Sequence, residues 1–276
     1  MPAAAIPSPM LAKVYDPARA SFPCIVQPKL DGVRLLVRRR VGGQLELFSR
    51  TGKPLDHLAG MLEADLTLSR LPQGVVLDGE LYVHGAGFQT VVSLVRNKGM
   101  SDARREKLEY HVYDLVEAAP YEQRAAHLER LLKGQMKRVR LVTSEPAAGP
   151  ADVDAALRRY MRAGYEGVIV RDPAAPYAVG RRSPGLLKYK LFRDDEFRII
   201  AVVEASGKDA GTAVLRCVTK EGREFNVRPQ GTREHRGHLL RDASLIIGKQ
   251  LTVRFQELSD DLVPRFPIGI AVRDYE

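Results

Sequence analysis

The 276-residue chain has two cysteines, no apolar run of eighteen residues and neither of two common glycine-rich phosphate-binding signatures. Cys24 and Cys217 lie far apart in sequence, so they suit reduced, buried thiols and exclude a disulfide framework or a cysteine metal cluster. Without eighteen consecutive apolar residues, no transmembrane helix is expected. The first ten residues hold three prolines and no basic stretch, so no secretory signal is read there and a cytoplasmic location is expected. G-x-x-x-x-G-K-[ST] and G-x-G-x-x-G are both missing, so any nucleotide must be bound by another route. No Ser/His/Asp constellation, internal repeat or long low-complexity segment stands out.

What is present is a charge imbalance on an otherwise ordinary background. Apolar residues make up 45% and charged residues 28%, as in soluble globular proteins. A chain of this length suits one large domain or two smaller ones. The net charge is +9, which points to a polyanionic partner. Residues 1–193 carry 30 Lys+Arg against 20 Asp+Glu, whereas residues 194–276 carry 13 against 14. The basic excess belongs to the first part.

Alternating patterns predict strands at Cys24–Gln27, Val33–Arg39 and Leu45–Ser49, with Gly42-Gly43 turning a hairpin. Leu58, Leu62 and Leu66 predict a helix over 55–70, and further helices are expected at Gln123–Leu132 and Asp152–Arg162. Strands are expected near 75–83, 110–116, 167–171 and 186–191. After Arg193 the texture changes to short strand-like runs at 197–204, 212–219, 224–228 and 250–257, with a helix near 233–241. Several short strands in about 80 residues suggest a small barrel. The expected domains are 1–192, of α+β class, and 193–276, all-β.

The chemistry concentrates in six segments of the first part. Lys29-Leu30-Asp31-Gly32-Val33-Arg34 sets a lysine on a glycine-containing turn between apolar runs. A lysine attacks only when neutral, and at its usual pKa fewer than about one in 10³ are neutral at pH 7. Nearby cations favour the uncharged amine. Leu186-Leu187-Lys188-Tyr189-Lys190 aims two lysines to one side of a strand, a costly pairing unless an anion is shared. Ser49-Arg50-Thr51-Gly52 puts an arginine at a strand end. Asp78-Gly79-Glu80 aims two carboxylates to one face of an extended backbone, and Glu166-Gly167 opens an apolar strand with a third. Tyr110-His111-Val112-Tyr113-Asp114 places its tyrosines on opposite faces of a strand. Each segment alone also suits a solvated turn, an edge strand or a core aromatic.

In this order, Lys-x-Asp-Gly-x-Arg, Ser-Arg-Thr, Asp-Gly-Glu, aromatic-x-x-aromatic-Asp, Glu-Gly-Val-x-x-Arg and Leu-Leu-Lys-x-Lys resemble the motif series of ATP-dependent DNA ligases. These belong to the covalent nucleotidyltransferase superfamily. The resemblance runs from about Gln27 to Arg193, and the length matches minimal two-domain members. It implies an N-terminal adenylyltransferase domain, ATP-grasp-like, of antiparallel sheets with helices, and a C-terminal OB-fold barrel. Lys29 would attack the α-phosphate of ATP to give lysyl-AMP. Gln27 would face the adenine edge, Glu80 would bind the ribose, and Tyr110 would stack on adenine with Tyr113 on the other side of its strand. Glu166 would bind Mg²⁺ or Mn²⁺, supported by Asp31 and Asp78. Lys188 and Lys190 would hold the α-phosphate, and Arg181 would help hold the nucleotide phosphates. Arg34 and Arg50 would contact the nicked strand, Arg34 also bordering the ATP site. Pro264-Arg265-Phe266-Pro267 and Val272-Arg273-Asp274 stand where the family orients pyrophosphate, through Arg265 or Arg273.

Only 28 residues precede Lys29 and cysteine-rich modules are missing, which favours ATP over NAD. The expected partner is nicked double-stranded DNA, bound by a monomer, with no membrane. An RNA ligase of the same superfamily is the enzymatic alternative. A non-catalytic basic nucleic-acid-binding protein is the other, but mere binding does not need Lys29, Glu80, Glu166, Lys188 and Lys190 together.

Overall fold

The computed structural model describes residues 6–134, 136–259 and 261–273, and the chain divides into two compact units, Met1–Lys190 and Leu191–Glu276. In the first unit β1 (Leu11–Val14), β2 (Cys24–Lys29), β3 (Val33–Arg39) and β4 (Leu45–Ser49) precede α1 (Ala59–Leu68) and β5 (Val76–Tyr82). Next come α2 (Phe88–Arg96), β6 (Glu109–Leu115), α3 (Tyr121–Leu131), β7 (Val139–Leu141) and β8 (Glu145–Ala147). α4 (Pro150–Arg162), β9 (Gly167–Arg171) and β10 (Arg182–Tyr189) complete it.

These strands make two five-stranded sheets, ordered β1-β10-β9-β2-β8 and β4-β3-β5-β6-β7. Both are mixed rather than purely antiparallel, because β1 runs parallel to β10 and β7 parallel to β6. Leu58, Leu62 and Leu66 are fully buried against Leu35, Leu47 and Leu77 of the second sheet, as their helical spacing predicts. Val153, Ala156, Leu157 and Tyr160 of α4 close over Val26, Val168 and Val170 of the first. Each such aliphatic side chain contributes roughly 1.5–3 kcal/mol by leaving water.

The two-sheet arrangement corrects the reading of the lysine segment. β2 and β3 lie in different sheets, so Leu30–Gly32 is a crossover and not a hairpin turn. Gly32 does not have a positive φ. A Cβ there would sit 2.2 Å from the Leu81 carbonyl oxygen and 2.8 Å from Glu80 Cγ, so its role is close approach to β5. Gly42 and Gly43, with φ of 99° and 90°, do turn β3 into β4.

The second unit consists of β11 (Arg193–Glu204), β12 (Ala213–Val218), β13 (Glu224–Pro229), α5 (Arg233–Arg241), α6 (Ala243–Ile246), β14 (Gln250–Phe255) and β15 (Ile268–Arg273). Its strands close a barrel in the order β11-β12-β13-β15-β14. β11 is 12 residues long and pairs with both β12 and β14, with a register shift after Ile199 where it bends between them. Alternate residues Phe225 and Val227 of β13 and Leu215 and Cys217 of β12 fill the interior. Thr232 caps α5 by accepting a hydrogen bond from the His235 amide at 3.2 Å.

Candidate active site

Lys29 is the last residue of β2, paired in register with Gly167 of β9, and its carbonyl accepts the Glu166 amide at 3.0 Å. The ends of two paired strands thus bring amine and carboxylate together. Glu166 Oε2 accepts from Lys29 Nζ, and its Oε1 accepts from Lys190 Nζ at 3.1 Å. Gly167 makes this convergence feasible: a Cβ on it would lie 2.3 Å from the Tyr189 carbonyl oxygen. Burial opposes charge on Glu166, but the two ammonium groups outweigh it and hold its carboxyl below the usual range. Lys188 lines the same space. Burial, with Lys190, Lys29 and Arg182 nearby, holds its ammonium below the usual lysine range.

From the other sheet come Arg34, Asp78 and Glu80. Asp78 is buried and receives Arg34 Nε at 2.8 Å, Arg34 Nη2 at 2.5 Å and the Tyr177 hydroxyl at 2.6 Å. It therefore anchors Arg34. Burial pushes the Glu80 carboxyl up to about 7, against the pull of Arg34 and Lys29. The Tyr113 hydroxyl donates to Glu80 Oε2 at 3.3 Å.

Tyr113, not Tyr110, is the aromatic that faces this space. Tyr110 is fully buried in the core behind the sheet and donates to the Leu35 carbonyl at 3.1 Å. Its ring fills the place a side chain at Gly79 would take, since a Cβ there would lie 2.6 Å from Tyr110 Cε2. The Tyr113 ring lies 5.6 Å from the guanidinium of Arg34 and 5.6 Å from that of Arg171.

Gln27 borders the same space, but its amide is largely spent. Its Oε1 accepts from Arg171 Nε at 2.6 Å, and its Nε2 donates to the Tyr121 hydroxyl and Ser144 Oγ, each at 2.9 Å. Arg171 also donates to Asp114 at 2.6 Å. Arg124 donates to the same carboxylate at 2.6 and 3.2 Å, so one buried aspartate holds two buried arginines.

Gln27, Lys29, Arg34, Glu80, Tyr113, Arg171 and Lys188 line a cleft of about 1230 Å³. Its lining includes Lys29, Arg34, Arg50, Lys53, Arg96, Lys98, Arg171, Arg182 and Lys188 against the single carboxylate of Glu80. Such a wall suits a polyphosphate. Arg50 is on it as expected, but Arg181 and Asp31 are not. Arg182, the first residue of β10, lines it. Sequence reasoning gave no role to Arg171, Arg182, Arg96, Lys98 or Tyr177. Only Arg171 had a signal, as the last residue of the Glu-Gly-Val-x-x-Arg segment. In the barrel unit Arg265 pairs with Glu257 and lies 5.5 Å from the Phe266 ring, and Arg273 donates to Thr252 Oγ1 at 2.7 Å. Asp274 lies outside the described residues.

The family model for the ATP dependent DNA ligase domain matches residues 9–190, and that for the DNA ligase OB-like domain matches residues 206–273. A DNA ligase of African swine fever virus (isolate Pig/Kenya/KEN-50/1950) is 30% identical over 91% of this chain and 64% of its own length. A probable DNA ligase of Mycolicibacterium vanbaalenii is 32% identical over 68% of this chain and 36% of its own length. The chain thus spans between about a third and two thirds of these relatives. Among solved structures, a Lig E DNA ligase covers 97% of this chain and 100% of its own, with a TM-score of 0.82 at 23% identity. Chlorella virus DNA ligase-adenylate covers 98% of this chain and 100% of its own, with a TM-score of 0.54 at 26% identity. With an adenylation domain, an OB-like domain and the motif series all present, the chain belongs to the ATP-dependent DNA ligase family.

Proposed function

We propose that this protein seals 3′-OH/5′-phosphate nicks in duplex DNA, using ATP and a covalent lysyl-AMP. The observation that carries the reading is the convergence of Lys29 and Lys190 on Glu166, where Lys29 also lines an electropositive cleft together with Lys188. In the first step the neutral Lys29 amine attacks the α-phosphorus of ATP. An N–P bond forms and the bond to pyrophosphate breaks. AMP then passes to the 5′-phosphate of the nick, and the 3′-hydroxyl displaces AMP. Both later steps are phosphoryl transfers, where positioning and charge neutralisation dominate. Lys188 and Lys190 would balance charge on the α-phosphate, Tyr113 would stack on the base, and Glu80 would hydrogen-bond the ribose. Arg50 would meet the nicked strand, with Arg34 at the inner wall. Arg265 or Arg273 would serve the pyrophosphate.

Among the described residues no group of three or more His, Cys, Asp or Glu side chains could hold a metal ion. Glu166 alone suits a Mg²⁺ or Mn²⁺ that completes its shell with substrate phosphates and water. Bound there, the ion would neutralise phosphoryl charge. Nicked double-stranded DNA is the proposed partner of a monomer working in the cytoplasm, and among the described residues no helix is long and apolar enough to cross a membrane.

The test is a set of nicked duplexes with DNA or RNA on either side of the nick. Sealing of the all-DNA nick, dependent on ATP and divalent metal, is expected. Sealing of RNA strands alone would reassign the protein as an RNA ligase.

A further inference from the structure

We infer that Arg105 is a positioning residue for the polynucleotide: it holds the C-terminal end of α2 and the turn after it, so that Arg96 and Lys98 meet phosphates of the nicked duplex. This rests on the nick-sealing reading above. The last carbonyls of a helix lack partners within it, and together they carry about half a negative charge. α2 ends at Arg96, which lines the cleft, so bare carbonyls at this end would repel phosphate.

One guanidinium removes that conflict. Arg105 Nε donates to the Leu94 carbonyl at 2.9 Å, Nη2 donates to the Asn97 carbonyl, and Nη1 donates to the Met100 carbonyl at 2.5 Å. Its rigid fork thus ties the last turn of α2 to the segment that carries Lys98. Arg105 is 1% exposed and does not reach a ligand itself. Its ion pair with the half-exposed Asp102 is long, 3.4 Å, so its charge is directed chiefly at the helix end. The fork is anchored from behind. The Arg105 carbonyl accepts Arg138 Nη1 at 2.5 Å, and Asp65 of α1 accepts the Arg138 and Val139 amides at 2.5 and 2.9 Å.

The remaining link points to the nicked strand as the ligand. The Val95 carbonyl accepts from His57 Nε2 at 2.8 Å, which joins α2 to the segment bearing Arg50 and Lys53. Arg50, Lys53, Arg96 and Lys98 all line the cleft, and Arg96 and Lys98 are exposed. Arg105 and His57 together convert a helix end of the wrong sign into part of a cationic wall.

The test measures binding to a nicked DNA duplex over a range of salt, the KM for that duplex in sealing, and covalent AMP formation from ATP alone. Each phosphate contact contributes about 0.9 to the log–log salt slope, so Arg105→Met should lower the slope by about two. It should raise the KM for nicked DNA and leave AMP formation intact. Arg96→Ala/Lys98→Ala should lower the slope by the same amount, and adding Arg105→Met to it should change the slope no further. Should Arg105→Met fail to fold, Arg105→Lys serves: it keeps the charge but loses the fork, and should lower the slope by at least about one. The inference is overturned if a folded Arg105 variant keeps the wild-type slope, if Arg96→Ala/Lys98→Ala keeps it, or if the combined variant falls further. It is equally overturned if the loss appears in the KM for ATP and not in that for DNA. A wild-type protein that forms no adenylate and binds no nicked duplex would instead overturn the nick-sealing reading.

Discussion

Glu80 shows how much a single residue's surroundings decide. Its carboxyl titrates at about 7, above the usual 4.5, because burial penalises its charge more than Arg34 and Lys29 favour it. In the unfolded chain the proton leaves near 4.5, while the folded protein keeps it until about 7. Stability from this group therefore falls as pH rises from about 4.5 to about 7, by roughly 3 kcal/mol, and is flat above. Denaturant unfolding across that range should show the decline, and Glu80→Gln should remove it. Asp114→Ala would strand two buried guanidiniums and should cost about 3–5 kcal/mol in the same measurement. That Lys29, Glu80 and Lys188 share one cleft, with Glu166 paired to Lys29, could be anticipated from the order of their motifs in the chain. The choice between Tyr110 and Tyr113 could not, because it depends on which face of the sheet is covered.

At the scale of elements, the site exists where strands end side by side. β2, β9 and β10 deliver Lys29, Glu166 and Lys190 to one point, and Gly167 is the clearance that lets their backbones meet. Gly167→Ala should therefore lower both stability, by about 1–3 kcal/mol, and adenylate formation. A thermal melt alongside a labelling assay reads both. Helices with regular leucine spacing, α1 above all, were legible in the sequence. α2 was not, since Phe88-Gln-Thr-Val-Val-Ser-Leu-Val reads as a β-branched run, and only Val91 and Val95 are buried at helical spacing. β1, β7 and β8 are three or four residues long, too short to show alternation. The crossover between β2 and β3 was hidden for a different reason: a glycine in sequence does not say whether it serves a turn or a close approach.

For the whole molecule, the basic excess of residues 1–193 and the cationic cleft lining describe the same fact at two scales. Binding to nicked duplex should weaken linearly on a log–log plot against salt, and Arg50→Ala should reduce that slope by about one. A slope unchanged by this substitution would place Arg50 away from the phosphates. The expectations about catalysis depend on Lys29 carrying AMP. The most direct measurement incubates the protein with ATP and Mg²⁺, digests it, and locates the covalent AMP by peptide mass mapping. The account predicts the adduct on Lys29, with none formed by Lys29→Ala; AMP on another residue, or an adduct that survives the substitution, would contradict it.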